Sequence, residues 1–120
     1  MLNISISKTA ANDAIDANSN NLIALSQDVL NHPESGFREH RTAELVAAFM
    51  KKIGLEPREN VAITGVIARI DTGRAGPHVA IFGELDSLIV PEHRLADPDT
   101  GAAHVCGHNI QIGNMLAAAV

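Results

Sequence analysis

The residue types best suited to chemistry lie near the C-terminal end of the chain, in the stretch HVCGHN at His104–Asn109. Cys106 is the chain's one cysteine, and a histidine lies two residues away on either side. A thiolate and an imidazole are both good zinc ligands. Gly107 lets the backbone turn tightly, so that Cys106 and His108 can face one ion. A metal site is therefore one hypothesis for this stretch.

Two other interpretations of the same stretch stay open. A lone cysteine is often a small buried hydrophobic residue. A nucleophilic pair of Cys106 and His108 is the second alternative, although residues two apart on a loop are poorly placed for the base to reach the thiol. His104 could add a third metal ligand, but three ligands at alternate positions of one short loop cannot easily enclose an ion.

A pair of carboxylates precedes this stretch. Glu84 and Asp86 lie at the end of the apolar run His78–Leu85. Ligands bind beyond the carboxyl ends of strands in open α/β sheets, which makes both carboxylates candidates for a site. The alternative is that they are two solvated charges at the end of a strand.

The elements that must position these residues follow from hydrophobic periodicity and from turn residues. His32-Pro33 ends the first helix, and we interpret Glu34 after it as solvated. Ser35 is the predicted cap of the second helix, and Gly54 is the predicted residue just beyond its C-terminus. The predicted segments are a helix over Asn12–Leu30, a helix from Ser35 to about Ile53, a strand over Ile63–Asp71, a buried strand over His78–Leu85, a long irregular loop over Asp86–Gly107, and a helix capped by Asn109 that is still running at Val120.

This order of elements is the opening of an α/β domain. The 120 residues allow at most one domain. Two strands seldom form a stable sheet alone, so we expect an incomplete domain, either a fragment or a truncated reading frame. We expect residues 1–20 to be poorly ordered or loosely helical.

Composition excludes several classes of function. The net charge of −5 with scattered basic residues, and an aromatic content of only 2%, argue against a nucleic-acid partner. The sequence contains neither a recognisable signal peptide nor an apolar run long enough to span a membrane. A lone cysteine cannot form an internal disulfide, and we therefore expect a cytoplasmic protein whose thiol stays reduced.

Four pieces of the chain, in order, resemble the zinc-dependent amidohydrolase and aminoacylase metallopeptidase family, which includes hydrolases of hippurate, indole-acetyl-amino acids and aminobenzoyl-glutamate. The resemblance spans about residues 22–120, and the last of the four pieces is the most specific. The pieces are His32-Pro33-Glu34 with Thr42 and a helix ending at Gly54, the strand Thr64-Gly65-Val66, the acidic motif Gly83-Glu84-Leu85-Asp86-Ser87-Leu88, and His104-x-Cys106-Gly107-His108-Asn109.

The resemblance implies a fold and roles for these residues. Residues 1–120 would form the N-terminal portion of a mixed-sheet α/β/α catalytic domain. Cys106 and His108 would bind two zinc or manganese ions, with the thiolate able to bridge them. Asp86 would be the catalytic carboxylate that orients a metal-bound group, and Glu84, His104 and Asn109 would support the site.

Some residues depart from the family pattern. Asn109 stands where many relatives have Asp, and Glu84 stands where many have an Arg-x-Asp-x-Asp sequence. Both forms are closer to the aminobenzoyl-glutamate branch, which acts on N-acyl amino acids or dipeptide-like amides. Ser87 replaces a commoner Ala, and Ile89–Ala103 differs from some relatives. These departures affect the expected substrate rather than the metal site.

The implied activity is metal-assisted hydrolysis of a small amide substrate, with a glutamate as general base. The family takes that glutamate from a Glu-Glu pair, which these 120 residues do not contain. We therefore expect the chain alone to be inactive and to need the missing C-terminal part or a partner chain; the complete enzymes are usually homodimers. The alternatives are a small metal-binding or interaction remnant without catalysis, and a redox or nucleophilic protein that uses Cys106.

Overall fold

The computed structural model describes residues 4–120, with side chains from residue 8 onward, as a small α/β domain. The α/β class expected from the order of elements is confirmed. The elements in chain order are α1 (Ile4–Asn31), α2 (His40–Lys52), β1 (Arg58–Val61), β2 (Gly65–Ile67), β3 (Leu88–Ile89), β4 (Ala102–Ala103) and α3 (His108–Ala117).

The hydrophobic core lies between the three helices and is almost wholly aliphatic. Residues three or four positions apart on each helix form one apolar face, as the periodicity predicts. The buried cluster consists of Leu22, Leu25, Val29, Val46, Phe49, Met50, Ile112 and Leu116. Helices α1 and α3 approach closely at Gly113, where an added Cβ would lie 2.5 Å from the Ser26 Oγ. A side chain at this position would therefore displace the Ser26 hydroxyl from its hydrogen bond with the Asn109 carbonyl.

Helix α1 is longer than the predicted helix. It begins at Ile4 instead of Asn12 and ends at Asn31, one residue beyond the prediction. Of residues 1–20, for which we expected poor order or loose helix, residues 1–3 lie outside the described part and residues 4–20 belong to α1. The assignment of residues 1–120 to the N-terminal portion of one catalytic domain stays a prediction.

Helix α2 begins later than predicted and ends where predicted. It starts at His40, and Ser35 instead forms an isolated parallel bridge with Ser87, so the predicted cap is wrong. At the other end Gly54 adopts a φ of +86°, as expected of a residue just beyond a helix. The amide of Gly54 donates to the Lys51 carbonyl at 3.0 Å and the amide of Leu55 to the Met50 carbonyl at 2.9 Å, a complete Schellman motif.

The predicted strand over Ile63–Asp71 is shorter and belongs to a hairpin. Strand β2 covers only Gly65–Ile67 and pairs antiparallel with β1, which the sequence analysis did not identify. The connecting turn has positive φ at Ala62 (50°) and Ile63 (90°). The left-handed region costs an L-residue roughly 1–2 kcal/mol, and a β-branched side chain is especially unsuited to it.

Replacing Ile63 by glycine is expected to stabilise the protein. Ile63 is 58% exposed, so little burial is lost. The backbone relief of about 1–2 kcal/mol exceeds the extra unfolded-state entropy of glycine, about 0.5–1 kcal/mol. Urea unfolding should therefore show a gain of about 0.5–1 kcal/mol. The matched control is Ile67→Gly in β2, which should destabilise the protein; a loss in both variants would contradict the argument.

The prediction of a buried strand over His78–Leu85 is wrong. This segment belongs to no sheet, and Val79, Ile81 and Phe82 are 85%, 59% and 82% exposed. A central strand is buried by neighbours on both sides, and the described residues supply none for this segment. Only its end packs inward, where Leu85 contacts the core.

The long segment between Asp86 and Gly107 has more structure than an irregular loop. Strands β3 and β4 pair antiparallel within it. The Asp97 carboxylate accepts hydrogen bonds from the amide (2.7 Å) and hydroxyl (2.8 Å) of Thr100 and from the Asp99 amide (3.1 Å). The hydrogen bonds from Thr100 lower the pKa of Asp97. Within the described residues, the helices do not combine the length and apolarity needed to cross a membrane.

Candidate functional site

Glu84, Asp86 and His108 meet where the unpaired segment reaches the start of α3. The His108 Nδ1 lies 2.8 Å from the carbonyl oxygen of Asp86 and 3.1 Å from its carboxylate. The other ring nitrogen, Nε2, lies 3.2 Å from the Glu84 carboxylate. Two carboxylates therefore flank one imidazole, and the sequence analysis named all three residues as site candidates.

The contacts of His108 define its proton positions. A backbone carbonyl only accepts hydrogen bonds, so the short contact with Asp86 requires the proton on Nδ1. Nε2 then directs its lone pair toward the Glu84 carboxylate whenever the ring is neutral. A lone pair and a carboxylate 3.2 Å apart repel unless a proton or a metal cation lies between them. Imidazole ligands of metals commonly donate their second N–H to a carbonyl or carboxylate in this way.

Gln111 fixes Glu84 from the next turn of α3, and the sequence analysis missed it. Its side-chain oxygen accepts the Glu84 amide at 2.6 Å, and its side-chain nitrogen donates to the Glu84 carboxylate at 3.2 Å. Gln111 lies three residues after His108, so both side chains occupy the same face of α3. That spacing is the one signal in the sequence that could have indicated it.

Cys106 lies beside this cluster in sequence, and its side chain is exposed and free of disulfides. Gly107 has a φ of +77°, which agrees with the tight turn expected between Cys106 and His108. Across the described residues, no three or more His, Cys, Asp or Glu side chains are arranged to hold one metal ion. The binding of a metal by Cys106 and His108 therefore stays a prediction.

His104 is buried without a hydrogen-bond partner. The residue is 8% exposed, and neither of its ring nitrogens makes a hydrogen bond of acceptable geometry. Burial lowers the pKa of His104, and the neighbouring His108 lowers it further, whereas Asp86 and the backbone of Val29 oppose the decrease. A neutral, buried imidazole beneath the cluster is compatible with the supporting role predicted for it.

Asn109 does not cap α3, which corrects the sequence analysis. The cap position is Gly107, and helix α3 starts at His108 and ends at Ala117 instead of running to Val120. Asn109 is buried against α1, where its side-chain nitrogen lies 3.4 Å from the Ser26 carbonyl and its own carbonyl accepts the Ser26 hydroxyl at 2.7 Å. Its side chain therefore contributes to helix packing.

Glu34 is not solvated, and its interpretation as such is wrong. Its carboxylate accepts the amides of Arg41 (3.0 Å) and Thr42 (2.8 Å) and the Thr42 hydroxyl (2.8 Å), so it caps α2 from outside the helix. Its carbonyl accepts the amide and the hydroxyl of Ser87 at 2.8 and 2.9 Å. No local spacing in the sequence indicates the contact with Ser87, 53 positions further along the chain.

Several known proteins are similar to this chain in sequence. The chain is 33% identical over 103 residues to the IAA-amino acid hydrolase ILR1-like 4 of Arabidopsis thaliana, a match covering 82% of this chain and 23% of that protein. It is 29% identical to the thermostable carboxypeptidase 1 of Saccharolobus solfataricus, over 82% of this chain and 26% of that protein. An N-acetylcysteine deacetylase of Bacillus subtilis is also 29% identical, over 82% of this chain and 27% of that protein.

The chain is similar in sequence to amidohydrolases and aminoacylases. It spans about a quarter of the length of these three relatives. No protein-family model matches the chain. The resemblance noted from the motifs is confirmed at the level of the family.

The side chains at this site fit a divalent metal in their chemistry. The imidazole of His108 is oriented by Asp86, and its free nitrogen faces a carboxylate at 3.2 Å. Nitrogen and oxygen ligands each about 2.0–2.1 Å from one zinc ion would be separated by a similar distance. The thiol of Cys106, two residues before His108, adds the softer donor that zinc also accepts.

Proposed function

We propose that this chain contributes part of the active site of a metal-dependent hydrolase that cleaves the amide bond of N-acyl amino acids or dipeptide-like substrates. The observation that carries the proposal is His108, held through Nδ1 by Asp86 and facing the Glu84 carboxylate through Nε2. The names of the relatives support the substrate class, since they include hydrolases of acylated amino acids.

The proposed metal is zinc or manganese, with two ions in the complete enzyme. Cys106 and His108 would bind metal, because a thiolate and an imidazole suit these ions. Bound metal would supply activation of water and polarisation of the amide carbonyl. Asp86 holds the His108 ring in place. Glu84 contributes negative charge beside Nε2, which would favour a bound cation there.

The supporting residues act through packing. His104 lies buried next to the cluster and is kept neutral by its lowered pKa. Asn109 joins α3 to α1 through Ser26, which fixes the helix whose first residue is His108. Both therefore hold the position of His108 without contacting a substrate.

The partner that we propose is the remainder of an amidohydrolase fold, either in the same protein or in a second chain. Roughly three quarters of the length of the relatives is not matched by this chain. The exposed side chains of Val79, Ile81 and Phe82 are the surface on which further strands would pack. The resemblance also favours a homodimer in the complete enzyme, and the lone cysteine Cys106 favours a cytoplasmic location.

The purified 120-residue chain is expected to release no amino acid from N-acetyl amino acids in the presence of zinc or manganese. The chain contains no Glu-Glu pair to supply the general base, and loss of such a base costs roughly 10²–10⁴ in rate. The measurement is amine release followed over hours. A metal-dependent turnover by the chain alone would contradict this expectation.

A chimera tests the function itself. The matching stretch of the Bacillus subtilis N-acetylcysteine deacetylase is replaced by that of this chain, and release of cysteine from N-acetylcysteine is measured. We expect metal-dependent activity in the chimera and a loss of at least about 100-fold when it carries His108→Gln. His40→Gln, at an exposed position on α2, is the matched control. A folded chimera in which His108→Gln leaves activity unchanged would overturn the proposal.

A further inference from the structure

Glu34 caps α2 although a nearer carboxylate is available. Glu39 occupies the cap position but makes no cap hydrogen bond. Its carboxylate is instead buried and accepts the Thr64 hydroxyl at 2.7 Å. The amides of Arg41 and Thr42 are satisfied by the Glu34 carboxylate, seven and eight residues earlier in the chain. These are charge-assisted bonds at the positive end of a helix, which makes them strong.

The same residue holds the segment that carries Asp86. The Glu34 carbonyl accepts both the amide and the hydroxyl of Ser87, at 2.8 and 2.9 Å, and Ser87 is 5% exposed. Ser35 extends this contact as a parallel bridge to Ser87. Two hydrogen bonds to one carbonyl, shielded from water, fix the position of the residue directly after Asp86.

Asp86 in turn determines which ring nitrogen of His108 carries the proton. Its carbonyl lies 2.8 Å from Nδ1, and a shift of this carbonyl would remove the acceptor that keeps the proton there. Contacts therefore connect the start of α2 to the imidazole through Glu34, Ser87 and Asp86.

We propose that Glu34 is a positioning residue, which anchors Ser87 and Asp86 to the N-terminus of α2 and so keeps the His108 Nε2 free to bind metal. The proposal rests on the proposed function for the identity of the ligand, but not for the geometry. Glu34 caps α2 with its carboxylate and holds Ser87 with its carbonyl, so it couples the position of α2 to the site.

The test compares Glu34→Ala and Glu34→Gln with Glu44→Gln, an exposed control on α2. Long-range proton–nitrogen NMR of the imidazoles, at about pH 8.5 where an ordinary histidine is neutral, reports which nitrogen of His108 carries the proton. Zinc titration reports affinity. We expect the Nδ1–H form to predominate in the wild type and in Glu44→Gln. In Glu34→Ala it should give way to a mixture of both tautomers, with zinc affinity lowered about 10-fold or more. Glu34→Gln keeps one acceptor oxygen and should lie between.

A folded Glu34→Ala variant with the wild-type tautomer and zinc affinity would overturn the proposal. If Glu34→Ala does not fold, Glu34→Gln and Ser87→Ala decide, because Ser87→Ala removes one bond to the Glu34 carbonyl and leaves the helix cap intact. Both should shift the tautomer in the same direction, and wild-type spectra in both would overturn the proposal. If the wild type binds no zinc, the metal assignment fails, whereas the tautomer still decides the role of Glu34.

Discussion

Leu116→Ala is expected to lower the free energy of unfolding by about 2–5 kcal/mol, a large fraction of the stability of a small domain. Leu116 and Ile112 are both fully buried on α3, where they pack with Leu22, Leu25 and Val29 of α1. The loss combines the transfer of the removed atoms with a cavity between the helices. Since the sheets are only two-stranded, this helix contact holds most of the domain together.

Ile110→Ala on the same helix is the matched control. Ile110 is 60% exposed, so the same reduction in size should change stability by no more than about 0.5 kcal/mol. Urea unfolding followed by circular dichroism measures both variants. Equal losses in the two variants would show that α3 does not pack through Leu116.

The helices could be predicted because their signals are local. Leu22, Leu25 and Val29 repeat at helical spacing, and Gly54 marks the end of α2 by its backbone freedom. The unpaired conformation of His78–Leu85 could not be predicted in the same way. Its apolar run is typical of a central strand, but burial of a strand depends on neighbouring strands, which the described residues do not provide.

The residue types of the candidate site could be predicted from the sequence, but the contacts that hold these residues in place could not. Glu84, Asp86 and His108 follow from residue type and from their places at the end of an apolar run and the start of a helix. Glu34 meets Ser87 across 53 positions of sequence, a contact that no local periodicity encodes. Asn109 has the side chain of a good cap, but packing against Ser26 determined its position instead.

Replacing either proposed metal ligand is expected to weaken zinc binding by more than about 100-fold, whereas Asp86→Asn, which alters a group that orients the His108 ring, should cost about 10–100-fold. Cys106→Ser and His108→Gln each remove one of the few strong metal-binding groups at the site. Because the ligands must be deprotonated, zinc affinity of the wild type should also fall as the pH is lowered. Zinc titration of the metal-free chain measures all of these effects, with His40→Gln as the exposed control.

Cobalt(II) distinguishes the thiol from the imidazole, because a thiolate bound to cobalt gives a charge-transfer absorption that an imidazole does not. This band should be present in the wild type and in His40→Gln and absent in Cys106→Ser. Unchanged metal content in Cys106→Ser would show that the exposed thiol of Cys106 is not a ligand. Thiol-dependent activity without metal would then favour the redox or nucleophilic alternative, since a reactive cysteine needs only a thiolate and access to solvent.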